Sequence, residues 1–582
     1  MSPCSVLVRQ WSEKKATFDA HSTNNFVQTK KAQTMKTAVS LIACGVCICV
    51  ETLVAQWFQA NGSFGASADA YRSFGANSRL PSQSIRAVGR VNVRLFDVLD
   101  LPFELYFNQL QGGARGQFGI QQPFNQFGVT PRLGWAQLFA GWYSTRISDL
   151  TFGDLRILGG GIELSPGALR VAAHYGYIRQ PIDPDSTLGF GGEYRRRIVM
   201  GKIGFESQQG DFLSFQVLSS QDEPGSIRPD SLTPSPQANV VFSVAGGLSG
   251  FEGVVRLRSE VSAGVFTSNT SSQQDSALIA SIPSVVQTFI PINASSNVDG
   301  AARLSLSVSP SPDWGISLDG QWIGPGFVTL GYAQLLNDIL DLNVSPYLRL
   351  VGGKLLLRGY IGRRTNNLRQ TRIATVERWN ANAGVSWQIT DDIGADVQYS
   401  RYTMSSDHAN DTLRMDNQLN SVTVAPRWRF RAFDADNMLT ATLSWQETTD
   451  HNRVTGQFGS NSAMMFNVSH SLIFPSQVNV TTSLSLNRTN NYLQKLTIAT
   501  FNEAITYPLI AQVLRAQGNL GFNLTSAQRT TAQVLLRAAL TYTPGNYGSF
   551  TLQVMNNTFD VTRQQGNTYS ELFASVQYSV GF

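Results

Sequence analysis

The sequence predicts an all-β fold, a transmembrane antiparallel β-barrel of about 22 strands, within a range of about 20 to 26. Three observations support this fold class: alternation of apolar and polar side chains, regularly spaced short turns, and an alternating strand that reaches the last residue, Phe582. Charged residues make up 15% of the 582 positions and aromatic residues 10%. That composition is too uncharged for a typical soluble protein, and the polar residues interrupt every long apolar run after the leader.

The alternation has the period of two that places successive side chains on opposite faces of a strand. In residues 438–446, one face carries Leu439, Ala441, Leu443 and Trp445, and the other carries Thr440, Thr442, Ser444 and Gln446. Residues 302–309 repeat the pattern. Such strands, with one apolar and one polar face, suit a wall between lipid and a wet lumen.

Turn chemistry recurs about every 40 residues, which is enough for two strands and one longer loop. The expected short turns lie at 165–168, 207–211, 250–253, 310–313, 352–354, 390–392, 433–437, 475–477 and 544–548. Longer polar connections are expected at 221–238, 268–299, 365–374, 405–417, 449–461 and 489–530. This asymmetry predicts short periplasmic turns and long extracellular loops.

The count of about 22 strands leaves residues 112–154 outside the wall, and it places both ends of the barrel at the periplasmic rim. Two interpretations of 112–154 stay open. The segment is either a constriction inserted in the lumen or a pair of wall strands that raises the count to about 24. Residues 493–525 are not assigned either. The predicted domain is a single barrel over residues 56–582, in which these two segments have no assigned place.

The N-terminal residues are expected to be a leader. Residues 1–34 are polar and aperiodic, which suggests a mis-assigned or disordered start, and residues 35–55 have the basic and apolar regions of a signal peptide with cleavage near Ala55. Residues 41–44 also spell a lipoprotein box, but the apolar run before Cys44 is short for a signal core. The four cysteines all lie at or before Cys49.

The leader also accounts for most of the net positive charge. Residues 1–55 hold six of the 45 basic and three of the 40 acidic residues, which leaves 39 against 37 and a net charge of +2. A partner nucleic acid is therefore not expected.

The final strand, residues 572–582, alternates Val576, Tyr578 and Val580 with polar residues and ends on Phe582. In this it resembles the Gram-negative outer-membrane β-barrel superfamily, and the whole chain is similar to its large porin-like members of unassigned function. The resemblance implies location in the cell outer membrane, contact with outer-membrane lipid, and recognition of the terminal residues by the outer-membrane assembly machinery. Residues 58–71 are expected to pair with the final strand and close the barrel.

No site for bond chemistry is predicted, so the chain is not expected to be an enzyme or to need a cofactor or a metal. The four histidines after the leader are His174, His408, His451 and His470. His174 is expected to line the lumen, His408 and His451 to lie in polar loops, and no zinc, nucleophile or phosphate motif accompanies them. An energy-coupled nutrient receptor is disfavoured because alternation starts as soon as the leader ends, which leaves no plug domain.

Arginine supplies nearly all the positive charge, since only three lysines follow residue 55. Arg86, Arg90 and Arg94 share one face of a strand, and Arg256 and Arg258 share a face with Glu260. Inward-facing guanidinium groups would select ions or bind carboxylate and phosphate groups on a solute. The alternative is a structural ladder of arginine and acid pairs that stiffens the wall.

These features predict a passive, porin-like channel or transport-associated barrel that filters small solutes by size and charge. The alternative is a structural or surface-interaction barrel with a closed lumen, whose long loops bind an extracellular or periplasmic protein in adhesion, secretion or assembly.

Overall fold

The computed structural model describes residues 58–75, 78–111, 126–153, 155–187, 189–559 and 568–582. The expected leader, residues 1–34 and 35–55, lies outside the described residues. The described chain is a single antiparallel sheet that closes on itself, because its last strand pairs with its first. None of its helices is long and apolar enough to cross a bilayer.

The sheet has 27 strand segments in chain order. They are β1 (Phe58–Phe74), β2 (Gln83–Leu95), β3 (Leu99–Gln111), β4 (Gln126–Val129), β5 (Arg132–Leu133), β6 (Ala136–Ser144), β7 (Arg156–Leu164), β8 (Leu169–Arg179), β9 (Arg195–Glu206), β10 (Phe212–Glu223), β11 (Ala238–Gly250), β12 (Val255–Thr267), β13 (Ser296–Ser311), β14 (Trp314–Ile323), β15 (Ile339–Leu350), β16 (Leu355–Asn366), β17 (Val376–Gln388), β18 (Ile393–Ser406), β19 (Asp416–Ala432), β20 (Ala435–Asp450), β21 (Asn461–Ile473), β22 (Asn479–Asn491), β23 (Lys495–Ile510), β24 (Leu514–Ser526), β25 (Thr530–Tyr542), β26 (Ser549–Phe559) and β27 (Tyr569–Gly581).

Short helices interrupt some connections. The α-helical turns are α1 (Ser276–Ser281), α2 (Ser284–Gln287) and α3 (Gly456–Gly459). Single 3-10 turns lie at Pro224–Ser226, Phe251–Gly253 and Gly545–Tyr547.

The wall has 26 strands. β4 and β5 both pair with β3 on one side and β6 on the other, so together they fill one position in the wall. The expected count of about 22 is therefore too low. Two of the missing strands lie in residues 126–144, and the other two are β23 and β24, in the stretch expected to be a long loop at 489–530.

Closure of the barrel is confirmed. β1 and β27 are antiparallel with Ser63 opposite Gly581 and Phe74 opposite Ser570. The backbone of Phe582 adds two hydrogen bonds to Gly62, with N to O distances of 2.8 and 3.0 Å. No edge is left unpaired at this junction, which is the condition for a β-sheet to lie in lipid.

The short and long connections segregate to opposite rims. The rim that carries Phe58 and Gly581 has short turns, and we call it the turn rim; the opposite one is the loop rim. Two connections at the turn rim, at Phe96–Asp97 and Phe433–Asp434, hold both residues at positive φ, between 51° and 56°. This is the hairpin geometry whose twist matches that of the flanking strands. All nine turns expected from the sequence lie at the turn rim.

Cross-strand register assigns each side chain to one of two faces, because directly paired residues share a face. Val199, Ile203, Phe215, Val244 and Val261 belong to one face, and each is more than 40% exposed. This apolar face is the outer one. The opposite face, which includes Lys202, Glu260 and Arg303, is polar and faces the lumen.

Two connections from the loop rim fold inward and pack against the lumen face. Inner segment 1 is residues 145–153, and inner segment 2 is residues 324–338. Leu150 and Phe152 of the first and Phe327 of the second are buried with Ile198 and Leu218 of the wall. The two segments also contact each other, since Thr329 Oγ1 donates to the Thr151 carbonyl at 2.7 Å.

A third connection, residues 268–295, packs on the outer face. Ile282, Val286 and Ile290 are buried against Val240 and Val265, which belong to the outward-facing rows of β11 and β12. Thr267 Oγ1 fixes the segment by donating to the Pro291 carbonyl at 2.9 Å. The outer wall near this part of the loop rim is therefore covered by the chain itself.

Candidate functional site: the lumen

Arg86, Arg90 and Arg94 lie on the lumen face of β2. Each has a carboxylate partner on a neighbouring strand, with these shortest N to O distances: Arg86 with Asp69 (2.7 Å), Arg90 with Glu104 (3.9 Å) and Arg94 with Asp100 (2.7 Å). This is the arrangement of the structural ladder that the sequence left as the alternative, because the charge of each guanidinium is met within the wall.

Glu260 faces the lumen beside Arg256 and Arg258, but its partners belong to inner segment 1 and to β11. Its carboxylate accepts hydrogen bonds from the Ser148 and Ser243 hydroxyls at 2.6 and 2.8 Å. The backbone amides of Asp149 and Leu150 donate to it at 3.1 and 3.3 Å. Glu260 is only 7% exposed. A carboxylate that receives four hydrogen bonds fixes the segment against the wall.

An ion pair adds a second attachment. Arg303 on β13 donates to Asp149 at 2.8 Å, and Arg146 also contacts that carboxylate. Below these contacts is a cavity of about 440 Å³, and Lys202, Arg258 and Glu260 are among its lining residues. No sequence pattern indicates this arrangement, since Glu260 and Asp149 are far apart along the chain.

Buried aspartates hold the connections at the loop rim. Asp222 is 2% exposed and accepts from Arg179 at 2.8 Å and from Arg196 at 2.7 Å. Asp299 pairs with Arg369 at 3.0 Å and accepts from the Gly326 amide of inner segment 2 at 2.7 Å.

Asp338, at the end of inner segment 2, pairs with Arg372 at 2.6 Å. These charge-assisted contacts tie successive loops to one another.

A different set of arginines has no such partners. Eight exposed arginines on the lumen face lie within four residues of a turn at the turn rim, and none has an ion-pair partner among the residues that the structure describes. They are Arg132, Arg256, Arg258, Arg349, Arg358, Arg429, Arg431 and Arg515. On the strands of the same face, the acidic residues without such a pair include Asp319 and Asp436, and Glu252, Asp313, Asp392 and Asp434 lie in the turns themselves. Arginines therefore outnumber the unpaired acidic residues on the strands at this end of the lumen.

The side of the lumen from β16 to β26 differs from the side that the inner segments fill. Within the described part of these strands, no inward-facing side chain larger than alanine is buried. Polar residues such as Asn382, Ser400, Ser421 and Ser485 cover this face. One half of the lumen is filled by inner segments 1 and 2, and the other half is lined by solvated side chains.

The expectation for His174 agrees with its position on the lumen face, where it is 2% exposed. Its Nε2 lies 3.2 Å from Glu163, whose carboxylate also accepts from Thr145 at 2.8 Å, and its Nδ1 lies 3.3 Å from the Tyr143 hydroxyl. Inner segment 1 begins at Thr145, so this cluster fixes the start of the segment.

The other histidines lie elsewhere. His408 and His451 are in loop-rim connections, and His470 points outward from β21. Among the described residues, no group of His, Cys, Asp and Glu is placed to hold a metal ion.

The terminal residues lie on the outer face, where the sequence placed them. Tyr578 and Val580 are buried because the turn before β26 covers them, and the Tyr578 hydroxyl donates to the Tyr547 carbonyl at 3.0 Å. Val576 and Phe582 are 53% and 37% exposed. The outward residues of the last strand thus contact the turn before β26, besides any role in assembly.

The solved structures that this chain resembles are large outer-membrane barrels. The siderophore receptor PirA from Acinetobacter baumannii matches with a TM-score of 0.38 and 10% identity, over 90% of this chain and 80% of that chain. The P pilus usher PapC translocation pore matches with a TM-score of 0.28 and 12% identity, over 90% of this chain and 99% of that chain.

The vanillate-bound OpdK from Pseudomonas aeruginosa matches with a TM-score of 0.29 and 11% identity, over 60% of this chain and 93% of that chain. At these identities the matches say nothing of what this chain binds or transports. No protein-family model and no curated protein matches the sequence.

Proposed function

We propose that the chain is a passive outer-membrane channel that favours anions, with its turn rim in the periplasm. The outward face is mainly apolar along the described wall, and the barrel is closed with an even number of strands, which is how a sheet satisfies its backbone groups in lipid. Transport through such a barrel needs no bond chemistry, cofactor or metal.

The observation that carries the preference for anions is the set of eight unpaired arginines on the strands at the turn rim. Guanidinium groups remain charged at every accessible pH and present planar donors to carboxylate or phosphate groups. Rings of fixed charge on a pore wall raise the local concentration of the opposite charge. A solute that follows the solvated side, β16 to β26, passes Arg358, Arg429, Arg431 and Arg515.

The test is the reversal potential of purified protein in planar bilayers under a potassium chloride gradient. Replacing Arg358, Arg429 and Arg431 by Gln should lower the chloride-to-potassium permeability ratio by several-fold. The matched control removes both members of three lumen ion pairs: Arg86, Arg90, Arg94 and Glu104 are replaced by Gln, and Asp69 and Asp100 by Asn. It also removes three lumen arginines but leaves the net charge of the lumen unchanged, so it should change the ratio less. An equal effect of the two variants would contradict the assignment.

The closed barrel with an interaction role is the second candidate, and the tied loops favour it. Asp222, Asp299 and Asp338 hold the loop-rim connections in fixed positions, as a recognition surface requires. Bilayer recordings separate the two functions. Discrete openings support the channel, whereas a folded, heat-modifiable barrel that gives no openings supports the interaction role.

A further inference from the structure

The outer face of β21 to β23 carries an outer polar row, defined as His470, Thr482 and Glu503, in an otherwise apolar band. The three residues are directly paired, His470 with Thr482 and Thr482 with Glu503. They share the outward face with Phe466, Leu484 and Leu520, which are 43%, 53% and 44% exposed. The row therefore runs across three neighbouring strands on the surface that faces lipid in the proposed channel.

Glu503 lies within the apolar band and not at its border. Phe501 and Ile505 flank it on the same face of β23, and Leu520 is its direct partner on β24. Tyr507 lies on the same face nearer the turn rim, where aromatic side chains mark the membrane interface. A carboxylate on the lipid side of such a band is unfavourable unless a polar partner meets it.

The chain itself satisfies only one of the two carboxylate oxygens. Thr482 Oγ1 donates to Glu503 Oε2 at 2.6 Å. Glu503 Oε1 has no hydrogen-bond partner among the described residues. The neighbouring outward position on β24 is Gly518, where a Cβ atom would meet nothing within 4 Å. This gap beside the carboxylate leaves room for a side chain of another molecule.

His470, at the other end of the row, is held in a defined orientation. The amide nitrogen of Asn437 donates to the Ala432 and Ala435 carbonyls at 3.0 and 2.9 Å, so its oxygen is the acceptor toward His470 Nε2, at 2.9 Å. The imidazole ring also stacks on Phe430, with ring centroids 6.2 Å apart. Because Nε2 donates to Asn437, His470 Nδ1 is a second donor when the ring is an imidazolium, and in that form it can donate to a carboxylate.

We infer that this face is the interface of a symmetric dimer, in which Glu503 of each copy meets His470 of the other. A two-fold axis along the membrane normal through Thr482 places the β23 side of one copy opposite the β21 side of the second copy. Glu503 and His470 lie on opposite sides of Thr482, one strand away each. The row is thus self-complementary, because each carboxylate faces a ring whose Nδ1–H donates to it in the imidazolium form.

A second copy fits this face better than lipid does. Lipid tails offer no donor to Glu503 Oε1, and association within a membrane depends on polar contacts and close approach of small residues. Gly518 and Ala516 on β24 supply such small positions on the outward face. The inference rests on the proposed membrane-spanning role.

The experiment is disulfide trapping in isolated outer membranes. The described chain has no cysteine, so Thr482→Cys places one thiol on the proposed axis. Mild oxidation should convert it to a covalent dimer of twice the chain mass. The matched control is Val261→Cys, which is also outward-facing and 62% exposed but lies on β12. It should stay monomeric.

A second measurement tests the charge contact. Glu503→Leu and Glu503→Gln are compared with the parent by photobleaching step counts in supported bilayers, and Glu503→Leu should shift the equilibrium about tenfold toward monomer. Folding of each variant is checked by heat-modifiability. An equilibrium unchanged by Glu503→Leu would overturn the contact between Glu503 and His470.

The outcomes separate this inference from the proposed function. If the protein is absent from outer-membrane fractions, both the proposed function and the dimer are overturned. If the protein is present there but Thr482→Cys stays monomeric, only the dimer is overturned. A covalent adduct of Thr482→Cys with a different protein would overturn the second copy as the occupant of this face.

Discussion

At the scale of single residues, the register of the sheet decides what a lumen arginine does. Arg94 and Arg431 both lie on the lumen face close to turns at the same rim, and the alternation in the sequence predicted an inward position for Arg94. Asp100 lies across from Arg94, with the side chains 2.7 Å apart, whereas Arg431 lies across from Asp436 without an ion pair. Residue type and periodicity could therefore predict the face, but the partner needed the three-dimensional structure.

Glu260 gives a prediction at this scale. Glu260→Ala removes the acceptor of two hydroxyl and two amide donors in a buried position, which should cost about 2 to 4 kcal/mol of unfolding free energy. Urea unfolding of the detergent-solubilised protein measures it. Glu252→Ala, in an exposed turn at the start of the same hairpin strand, is the control. A loss below about 0.5 kcal/mol at Glu260 would show that inner segment 1 is held by its apolar contacts alone.

One loop-rim ion pair joins the connection after β1 to the last strand. Arg79 lies 2.6 Å from Glu571, and the carboxylate raises the pKa of the guanidinium. The Tyr71 hydroxyl donates to the same carboxylate at 2.6 Å. The contact needs the ionised Glu571 carboxylate, so the junction between β1 and β27 keeps it at neutral pH and loses it when the carboxylate is protonated.

At the scale of elements, the last strand gives the clearest prediction. Deletion of Phe582 removes two backbone hydrogen bonds to Gly62 and the terminal aromatic ring. The folded fraction in outer membranes, measured by heat-modifiability, should fall, while channels formed by the molecules that do fold keep the parent conductance. Phe582→Tyr, which retains the backbone and the ring, should assemble as the parent does. Normal assembly of the deletion variant would refute the closing role.

Removal of inner segment 1 is expected to change the conductance of the folded channel, whereas deletion of Phe582 changes its assembly. Replacing residues 146–152 by a short Gly and Ser linker should enlarge the lumen, because the segment fills the side of β6 to β13. Single-channel recording should show a higher conductance than the parent. A linker in place of residues 452–458, a loop-rim connection without contacts to the inner segments, is the matched control. Unchanged conductance after removal of inner segment 1 would mean that solutes cross only on the other side.

Elements were predicted well where turn chemistry marked them and poorly where it did not. Turns such as 250–253 and 433–437 were placed from their Gly and Asp residues. The connection between β22 and β23 is only three residues long. Long loops were expected at that rim, so the alternation on either side of this connection did not predict a hairpin. β23 also carries Glu503 and Pro508, which interrupt its pattern. Gly128 and Pro131 divide the strand made by β4 and β5 in a similar way.

At the scale of the whole molecule, the proposed selectivity depends on screening. The Debye length is about 10 Å at 0.1 M salt and about 3 Å at 1 M. The chloride preference should therefore fall toward unity as potassium chloride rises from 0.1 M to 1 M at a fixed gradient. Reversal potentials at both concentrations measure it. A preference that persists at 1 M would point to direct binding sites on the wall in place of a diffuse field.

The class of fold was accessible from local pattern, and the size of the barrel was not. Alternation and turn asymmetry depend on neighbours along the chain, and they predicted a closed antiparallel wall with both ends at one rim. The number of strands is a sum over all segments, so each unrecognised hairpin changes it by two without disturbing the parity. The filling of the lumen depends on contacts such as Glu260 with Ser148, 112 residues apart.

The segment 268–295 has a mechanical consequence. Because it covers the outward side chains of Ala238, Val240 and Val265, this part of β11 and β12 is not available for contact with lipid in the proposed channel. On β22, by contrast, the outward side chains of Leu484 and Leu486 are exposed. The covering is therefore one-sided, and in the proposed membrane-spanning role we expect it to tilt the barrel from the bilayer normal.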